Sequence, residues 1–341
     1  MQSEAHFLTQ YGKAESAFER RTFGLPEIKT NEIIIEVEAF GLNYAEVMAR
    51  RKLYKAAPPL PCILGYEVLG KIIEVGKEIS TNYLGKRVVA FTRFGGYAKH
   101  VIASSATCVE IGDLEQTKAL SLATQYVTAY YMSEYLAPIH TEEKVLIHAA
   151  AGGVGTALIQ LCKQKGAIVF AKVSSEKKGD YVKSLGADFA INYITKEYES
   201  EVLNLNQGKK IDVIFNPVAG STFKKDLNLL ASGGKLHLFG GSELLAGRFG
   251  FFSQLNFLRK MGLNLPIGLM MRSRNILGTN MLKIADEKPE VLTHCLTQVV
   301  KLCLENKIAP PQGTVFEANQ ITEAHALLES GKSIGKIAVR W

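Results

Sequence analysis

The chain has 341 residues, 47% of them hydrophobic, and 40 Lys and Arg against 33 Asp and Glu leave a net charge of +7. That length accommodates two globular domains, and the composition lies far from disordered, collagenous or membrane-embedded classes. The basic residues are dispersed rather than gathered in runs, which argues against a nucleic-acid partner.

Glu4, His6 and Gln10 interrupt any signal-peptide pattern, so a cytoplasmic location is expected. The first third of the chain then reads as short alternating strands at Glu32–Glu38, Val68–Val75 and Lys86–Phe91, separated by Gly, Pro and Asn turns. Cys62, Cys108, Cys162, Cys295 and Cys303 form no CxxC pair, which predicts reduced thiols and no metal-type cluster.

The character changes at Val145-Leu-Ile-His-Ala-Ala-Ala-Gly-Gly-Val-Gly-Thr-Ala-Leu-Ile-Gln-Leu-Cys162. An apolar run stops at small residues and resumes with Leu158, Ile159, Leu161 and Cys162 at helical spacing, predicting strand, tight turn and helix. Ala150-x-Gly152-x-x-Gly155 is a variant of the dinucleotide fingerprint. In it, Gly152 admits a pyrophosphate to the backbone, Gly155 allows close helix–sheet contact, and the helix start offers free N–H groups. Strands at Ala167–Val173, Phe189–Tyr193, Ile211–Phe215 and Gly234–Phe239 alternate with helical stretches, the pattern of a doubly wound parallel sheet. His148 and His237 fall in predicted core strands and are expected to be satisfied buried histidines.

The second of these strands ends in Lys172-Val-Ser-Ser-Glu-Lys-Lys178. No carboxylate stands where an NAD enzyme grips the ribose 2′-OH; Ser174 and Ser175 offer hydroxyls instead, and Glu176 is the one contrary charge.

From Leu244 to Met281 there are five basic residues, Arg248, Arg259, Lys260, Arg272 and Arg274, and no acid. Phe251, Phe252, Leu255, Leu258, Met261 and Leu265 share one helical face, with Asn256, Lys260 and Asn264 opposite. Four roles are compatible with this segment: a lid, a helix visiting an anionic membrane surface, a dimer-interface helix, or a helix covering its own core. Asn275–Met281 reads as an edge strand. Strand character returns at Ile334–Val339, so a β-rich barrel-like domain is expected to be built from both chain ends, with the doubly wound domain inserted between. The cleft between two such domains is the expected substrate location.

These segments resemble the medium-chain dehydrogenase/reductase superfamily, in particular its zinc-free quinone oxidoreductase branch. The resemblance rests on Phe40–Glu46, Arg51–Tyr54, Leu60–Glu67, Gly95–Ala98, Val127–Tyr130, the Ala-Ala-Gly-Gly-Val-Gly turn and Gly335–Ile337. Within the branch, Leu42–Arg50 and Asn216–Gly220 look most like the vesicle amine transport protein subgroup. It implies a GroES-like domain over 1–121 and 282–341 and a Rossmann domain over 122–281, with the amphipathic basic insertion at 243–274. Zinc enzymes of the superfamily carry ligands where this chain has Asn43 and Tyr66, so no metal is expected.

By the same resemblance, Ala151, Gly152, Gly153, Val154 and Gly155 would meet the pyrophosphate of NADPH, and Ser174, Ser175, Lys178 and Tyr193 its 2′-phosphorylated adenosine. Thr128, Asn216, Val218, Phe239, Gly240 and Ser242 would meet the nicotinamide end. Asn43 and Tyr54 occupy the positions of polar groups over the nicotinamide, against plain turn chemistry and barrel packing as the alternatives. A second family tyrosine is Met48 here, and the family often has an acid at Asn216. The implied function is zinc-independent hydride transfer from NADPH to a quinone or α,β-unsaturated carbonyl, in a homodimer paired near 275–281. The alternative is a weakly or non-catalytic NADPH-binding relative acting through peripheral membrane or protein association.

Overall fold

The computed structural model describes residues 1–243, 251–262 and 265–341, without the side chains of residues 251–254. It divides into two compact units, Met1–Val127 with Met281–Trp341, and Thr128–Asn280. The first begins with β1 (Gln2–Leu8), β2 (Phe18–Gly24), β3 (Glu32–Leu42), β4 (Cys62–Ile63), β5 (Glu67–Val75), β6 (Arg87–Phe91), β7 (His100–Ser104) and β8 (Cys108–Glu110). The second carries β9 (Lys144–Ile147), β10 (Ile168–Val173), β11 (Phe189–Asn192), β12 (Ile211–Asn216), β13 (Leu230–Leu238) and β14 (Asn275–Gly278). The chain then returns to the first unit with β15 (Thr314–Glu317) and β16 (Ile337–Arg340).

In the first unit a larger sheet runs β15-β16-β3-β5-β6-β8, with β7 also on β3, and a smaller one runs β2-β1-β4. The β-branched run Ile33-Ile34-Ile35 is withdrawn from solvent, and Phe40, Leu64, Val68, Tyr97 and Val339 share a core with Ile33 and Ile35. Both chain ends thus build one GroES-like, β-rich body. The smaller sheet is a part that the sequence pattern did not reveal: β1 is Gln-Ser-Glu-Ala-His-Phe-Leu, too polar to stand out.

The second unit is a six-stranded sheet in the order β11-β10-β9-β12-β13-β14, with every neighbouring pair parallel. Counted within the unit this is the 3-2-1-4-5-6 order of a Rossmann fold. The central strands β9 and β12 are buried on both faces, which is why Val145-Leu-Ile and Val213-Ile-Phe are continuous apolar runs rather than alternating ones.

Several boundaries move. β13 begins at Leu230, before Gly234, because a register irregularity with Gly233 at φ +80° absorbs the intervening residues. β16 begins at Ile337, because Gly335 at φ +66° interrupts the extended chain. β14 lies at the sheet edge as expected, but it stops at Gly278, and Met281 opens the helix Met281–Glu287.

Candidate dinucleotide site and the phenol cluster

The strand order of the second unit lays five loops side by side along the C-terminal edge of its sheet. In spatial order they hold Tyr193 after β11, Ser174 to Lys178 after β10, the turn 148–152 after β9, Asn216 to Gly220 after β12, and Phe239 to Ser242 after β13. In an open parallel sheet this edge is where ligands bind.

The central turn needs its small residues. Ala149 takes φ +49°, and Gly152 caps the helix Gly153–Gln164. A Cβ on Gly155 would lie 2.6 Å from both Ala149 O and Ala150 Cα, so any side chain there would force the helix off the strand. At Gly152 the nearest atom would be 3.2 Å away, so that glycine is needed less by the chain's own packing. The first-turn N–H groups of Gly153, Val154 and Gly155 have no intrahelical partners, being at a helix start.

Beyond β10, Ser175 Oγ accepts the Lys178 N–H at 3.3 Å and caps the helix Glu176–Ser184. Its hydroxyl is therefore engaged as an acceptor on one side and keeps its proton to offer a ligand. The contrary charge of Glu176 is drawn sideways, its Oε1 accepting from Asn192 Nδ2 at 2.9 Å. Lys178 sits in the first turn, where partial burial holds its ammonium below the usual lysine value. Tyr193 is 44% exposed at the end of β11.

Asn216 does not present its side chain outward. Its Oδ1 accepts from Val218 N at 2.7 Å and Ala219 N at 2.9 Å, while its Nδ2 donates to Thr222 Oγ1 at 2.8 Å and Asp226 Oδ2 at 2.5 Å. The amide thus shapes the loop, and only its backbone remains for a ligand. An acid here could not donate to the buried Asp226, which explains the asparagine. Phe239 N bonds Asn216 O at 3.3 Å and Ser242 N bonds Pro217 O at 3.1 Å, so these two loops run together. Gly240 permits this approach, since a Cβ would meet Pro217 O at 2.7 Å. Thr128 is buried in the helical turn Val127–Tyr130.

Beneath this edge lies a buried polar cluster that the sequence reading missed. His148, one residue past β9, pairs through Nε2 with Asp226 Oδ1 at 2.9 Å, and Tyr198 OH donates to the same oxygen at 2.9 Å. Lys172 Nζ lies 3.3 Å from His148 Nδ1 and 3.8 Å from the centroid of the Tyr198 ring. Burial pushes the lysine down to about 8 and holds His148 below its ordinary value, so a neutral imidazole carries its proton on Nε2 and accepts from Lys172. A lone Lys inside Ile-Val-Phe-Ala-Lys-Val was the available signal. The second histidine corrects the expectation. His237 is fully buried and stacks on Phe215 at 4.7 Å, but neither ring nitrogen has a hydrogen-bond partner among the described residues.

In the first unit, Asn43 opens the helix Tyr44–Arg50 and is clamped from behind. Its Nδ2 donates to Glu67 Oε1 at 2.9 Å, and its Oδ1 accepts from Lys336 Nζ at 3.1 Å. Glu67 and Lys336 form a fully buried ion pair, and Gly41 leaves the room they occupy. Glu46 Oε2 accepts from Asn43 N at 2.7 Å and from Tyr97 OH at 2.8 Å, while its Oε1 accepts from Tyr66 N at 3.1 Å. Tyr66 is 3% exposed, and its hydroxyl is turned toward that of Tyr54. Burial, with the neighbouring Tyr54 phenol adding to it, pushes the Tyr66 hydroxyl far above its usual range, so it stays a neutral donor. Tyr54 packs against the core of this unit, and its own hydroxyl is raised by burial. Among the described residues no three His, Cys, Asp or Glu side chains are grouped to hold a metal.

The basic segment is described in part. Among the described side chains of the helix Phe251–Met261 the partly buried ones are Phe257, Lys260 and Met261, while Leu255 and Leu258 are 52% and 62% exposed. Lys260 reaches Glu243 Oε1 at 2.6 Å, and Met261 packs on the core. The side chains of Phe251 and Phe252, together with Leu244, Arg248 and Asn264, lie outside the described residues. No described helix is long and apolar enough to cross a membrane.

Comparison with known proteins agrees with this architecture. Residues 29–113 match the alcohol dehydrogenase GroES-like domain, and residues 153–297 match the zinc-binding dehydrogenase family. The chain is 30% identical over 97% of its length to 68% of the synaptic vesicle membrane protein VAT-1 homolog of Danio rerio. It is 27% identical over 98% of its length to 96% of a probable quinone oxidoreductase of Schizosaccharomyces pombe. A mycobacterial structure complexed with NADPH superposes with a TM-score of 0.85 at 25% identity, covering 99% of this chain and 100% of that one. The chain therefore belongs to the medium-chain dehydrogenase/reductase superfamily, among its quinone oxidoreductases and VAT-1 homologues.

Proposed function

We propose that this protein is a zinc-independent reductase that binds NADPH and delivers a hydride to a quinone or an α,β-unsaturated carbonyl. The carrying observation is the loop after β10. It has no carboxylate at the strand end, its Glu176 is tied to Asn192, and its Lys178 stands in the capped first turn. A 2′-phosphate suits that surface better than a bare ribose hydroxyl. The close turn at Gly155 and the N–H groups of residues 153–155 suit a pyrophosphate, and the NADPH complex of a superposable relative supports the same reading.

NADPH, when bound, supplies the hydride. The chain's own residues bind and orient. Asn43, fixed by Glu67 and Lys336, keeps its second Nδ2 proton for a substrate oxygen, and Tyr54, backed by the Tyr66 phenol, offers a neutral hydroxyl. Such donors stabilise negative charge that develops on a carbonyl oxygen as hydride arrives elsewhere in the conjugated system. Asn and Tyr in the ligand positions give no Lewis acid to activate a plain alcohol, so an electron-poor acceptor is the fitting substrate. NADPH oxidation followed at 340 nm across a panel of quinones and enones tests this. Turnover of at least one class supports it, and flat traces across the panel reject it.

One observation favours a second reading, an NADPH-binding relative that works through association. Leu255, Leu258, Leu265, Ile267, Met270 and Met271 are all more than half exposed, beside Arg259 and Arg272. Apolar side chains gathered in one stretch with basic neighbours suit an anionic membrane surface or a protein partner, including a second copy of the chain paired along β14. Tight NADPH binding without turnover, together with liposome sedimentation or a stable dimer, would favour it.

A further inference from the structure

We infer that Lys172 is a positioning residue for the adenosine end of the cofactor, its buried ammonium holding one face of the Tyr193 ring so that the other face is presented outward. This deepens the NADPH reading and rests on it.

The geometry begins with a charge in an unusual place. Lys172 is the fifth residue of β10, 7% exposed, in a strand otherwise made of Ile, Val, Phe and Ala. An apolar side chain there would avoid the desolvation cost of a buried ammonium. Instead Nζ is placed 3.8 Å from the Tyr198 ring centroid, 4.9 Å from that of Tyr193, and 3.3 Å from His148 Nδ1. Cations bind aromatic faces in this way, and the contact strengthens when water is excluded. The two rings differ in what their other sides meet. Tyr198 is buried and spends its hydroxyl on Asp226, whereas Tyr193 is 44% exposed. Its backbone is pinned by N–H to Val173 O at 3.0 Å, one residue before Ser174. Tyr193 and the Ser174–Lys178 loop therefore flank one stretch of the sheet edge, and Lys172 underlies both.

The groups facing Lys172 define its titration. His148 is neutral, Asp226 and Glu197 supply negative charge, Lys225 opposes it, and Tyr193 and Tyr198 supply ring faces. Burial, the largest influence, brings the ammonium down to about 8. As pH rises past that value the lysine loses its charge, its hold on Tyr193 goes, and Asp226 is left uncompensated beneath an anionic ligand. Affinity for the adenosine bisphosphate half of the cofactor should fall.

The test is calorimetric titration with adenosine 2′,5′-bisphosphate and with NADPH at pH 7 and pH 9.5. We expect wild type to bind the bisphosphate roughly three- to tenfold more weakly at the higher pH. Lys172→Met and Tyr193→Ala should each weaken binding at pH 7 by a similar factor, with a smaller pH response than wild type, what remains coming from Lys178, and no further loss when combined. Tyr193→Phe keeps the ring and should retain the pH response of wild type. Because Tyr193 is exposed, its two variants and the wild-type pH response carry the test even if Lys172→Met fails to fold. An unchanged pH response in Tyr193→Ala, or losses that simply add in the double variant, overturns the inference while leaving NADPH binding intact. If wild type binds neither ligand at pH 7, the NADPH reading falls and this inference with it.

Discussion

Replacing Asp226 by Ala should destabilise the dinucleotide-binding unit severely. The carboxylate is fully buried and receives three donors, His148 Nε2 at 2.9 Å, Tyr198 OH at 2.9 Å and Asn216 Nδ2 at 2.5 Å. Truncation strands all three and leaves Lys172 without its counter-charge. Each buried unsatisfied donor costs about 1–3 kcal/mol, but relaxation and water entry offset part of that sum. Removing one partner of a buried charged set costs about 3–5 kcal/mol, which is the figure we adopt. For a unit of this size that corresponds to a fall of roughly 6–20 °C in melting temperature. Differential scanning calorimetry without cofactor is the assay, since a bound ligand would mask the change. Adding Lys172→Met to Asp226→Ala removes the stranded cation and should recover roughly 1–3 kcal/mol, a coupling that independent sites do not show. A single variant melting within about 2 °C of wild type, or strictly additive losses in the double variant, would refute the reasoning.

Lys178→Ala should weaken NADPH roughly ten- to hundredfold and leave NADH nearly untouched, because a charge-assisted contact is worth about 1.5–3 kcal/mol and only NADPH carries the 2′-phosphate; equal wild-type affinities for the two cofactors would contradict the assignment. Elemental analysis of the purified protein should find no stoichiometric zinc, and chelators should leave reductase activity intact; one zinc per chain surviving dialysis would oppose it. His237 supplies a pH prediction. Burial depresses its folded value from 6.5 to about 4, so the unfolded chain binds its proton first, and stability is full above 6.5 and lost as pH falls toward 4. That interval corresponds to roughly 3 kcal/mol, and His237→Leu should reduce, but not abolish, the loss of stability between pH 7 and 4.5 in urea melts, since buried His6, His148 and His325 are depressed as well; an unaltered slope counts against it. Leu258→Ser with Met271→Ser, both at exposed positions, should leave the melting temperature within about 2 °C while reducing any liposome sedimentation or self-association. A large loss of stability would mean that these side chains are buried by the protein itself.

Local chemistry by itself determined much of this protein. The alternation of strands and helices, the close turn at Gly155 and the β-rich character of both chain ends were all legible, because each depends on residue type and short-range spacing. Tertiary structure decided the rest, which depends on what meets across long separations. The sheet β2-β1-β4 forms through pairing that its polar first strand does not advertise. The fates of Asn216, His148 and His237 followed from burial beside particular neighbours: one amide is consumed by a loop, one imidazole is held by Asp226, and one is left without a partner among the described residues. In the helix Phe251–Met261, the described side chains that are partly buried are Phe257, Lys260 and Met261, with Lys260 paired to Glu243, an arrangement periodicity alone does not give. Lys172 could be seen in the sequence as an oddity, yet its partners come from β9, β11 and two helices, and only the folded sheet brings those together.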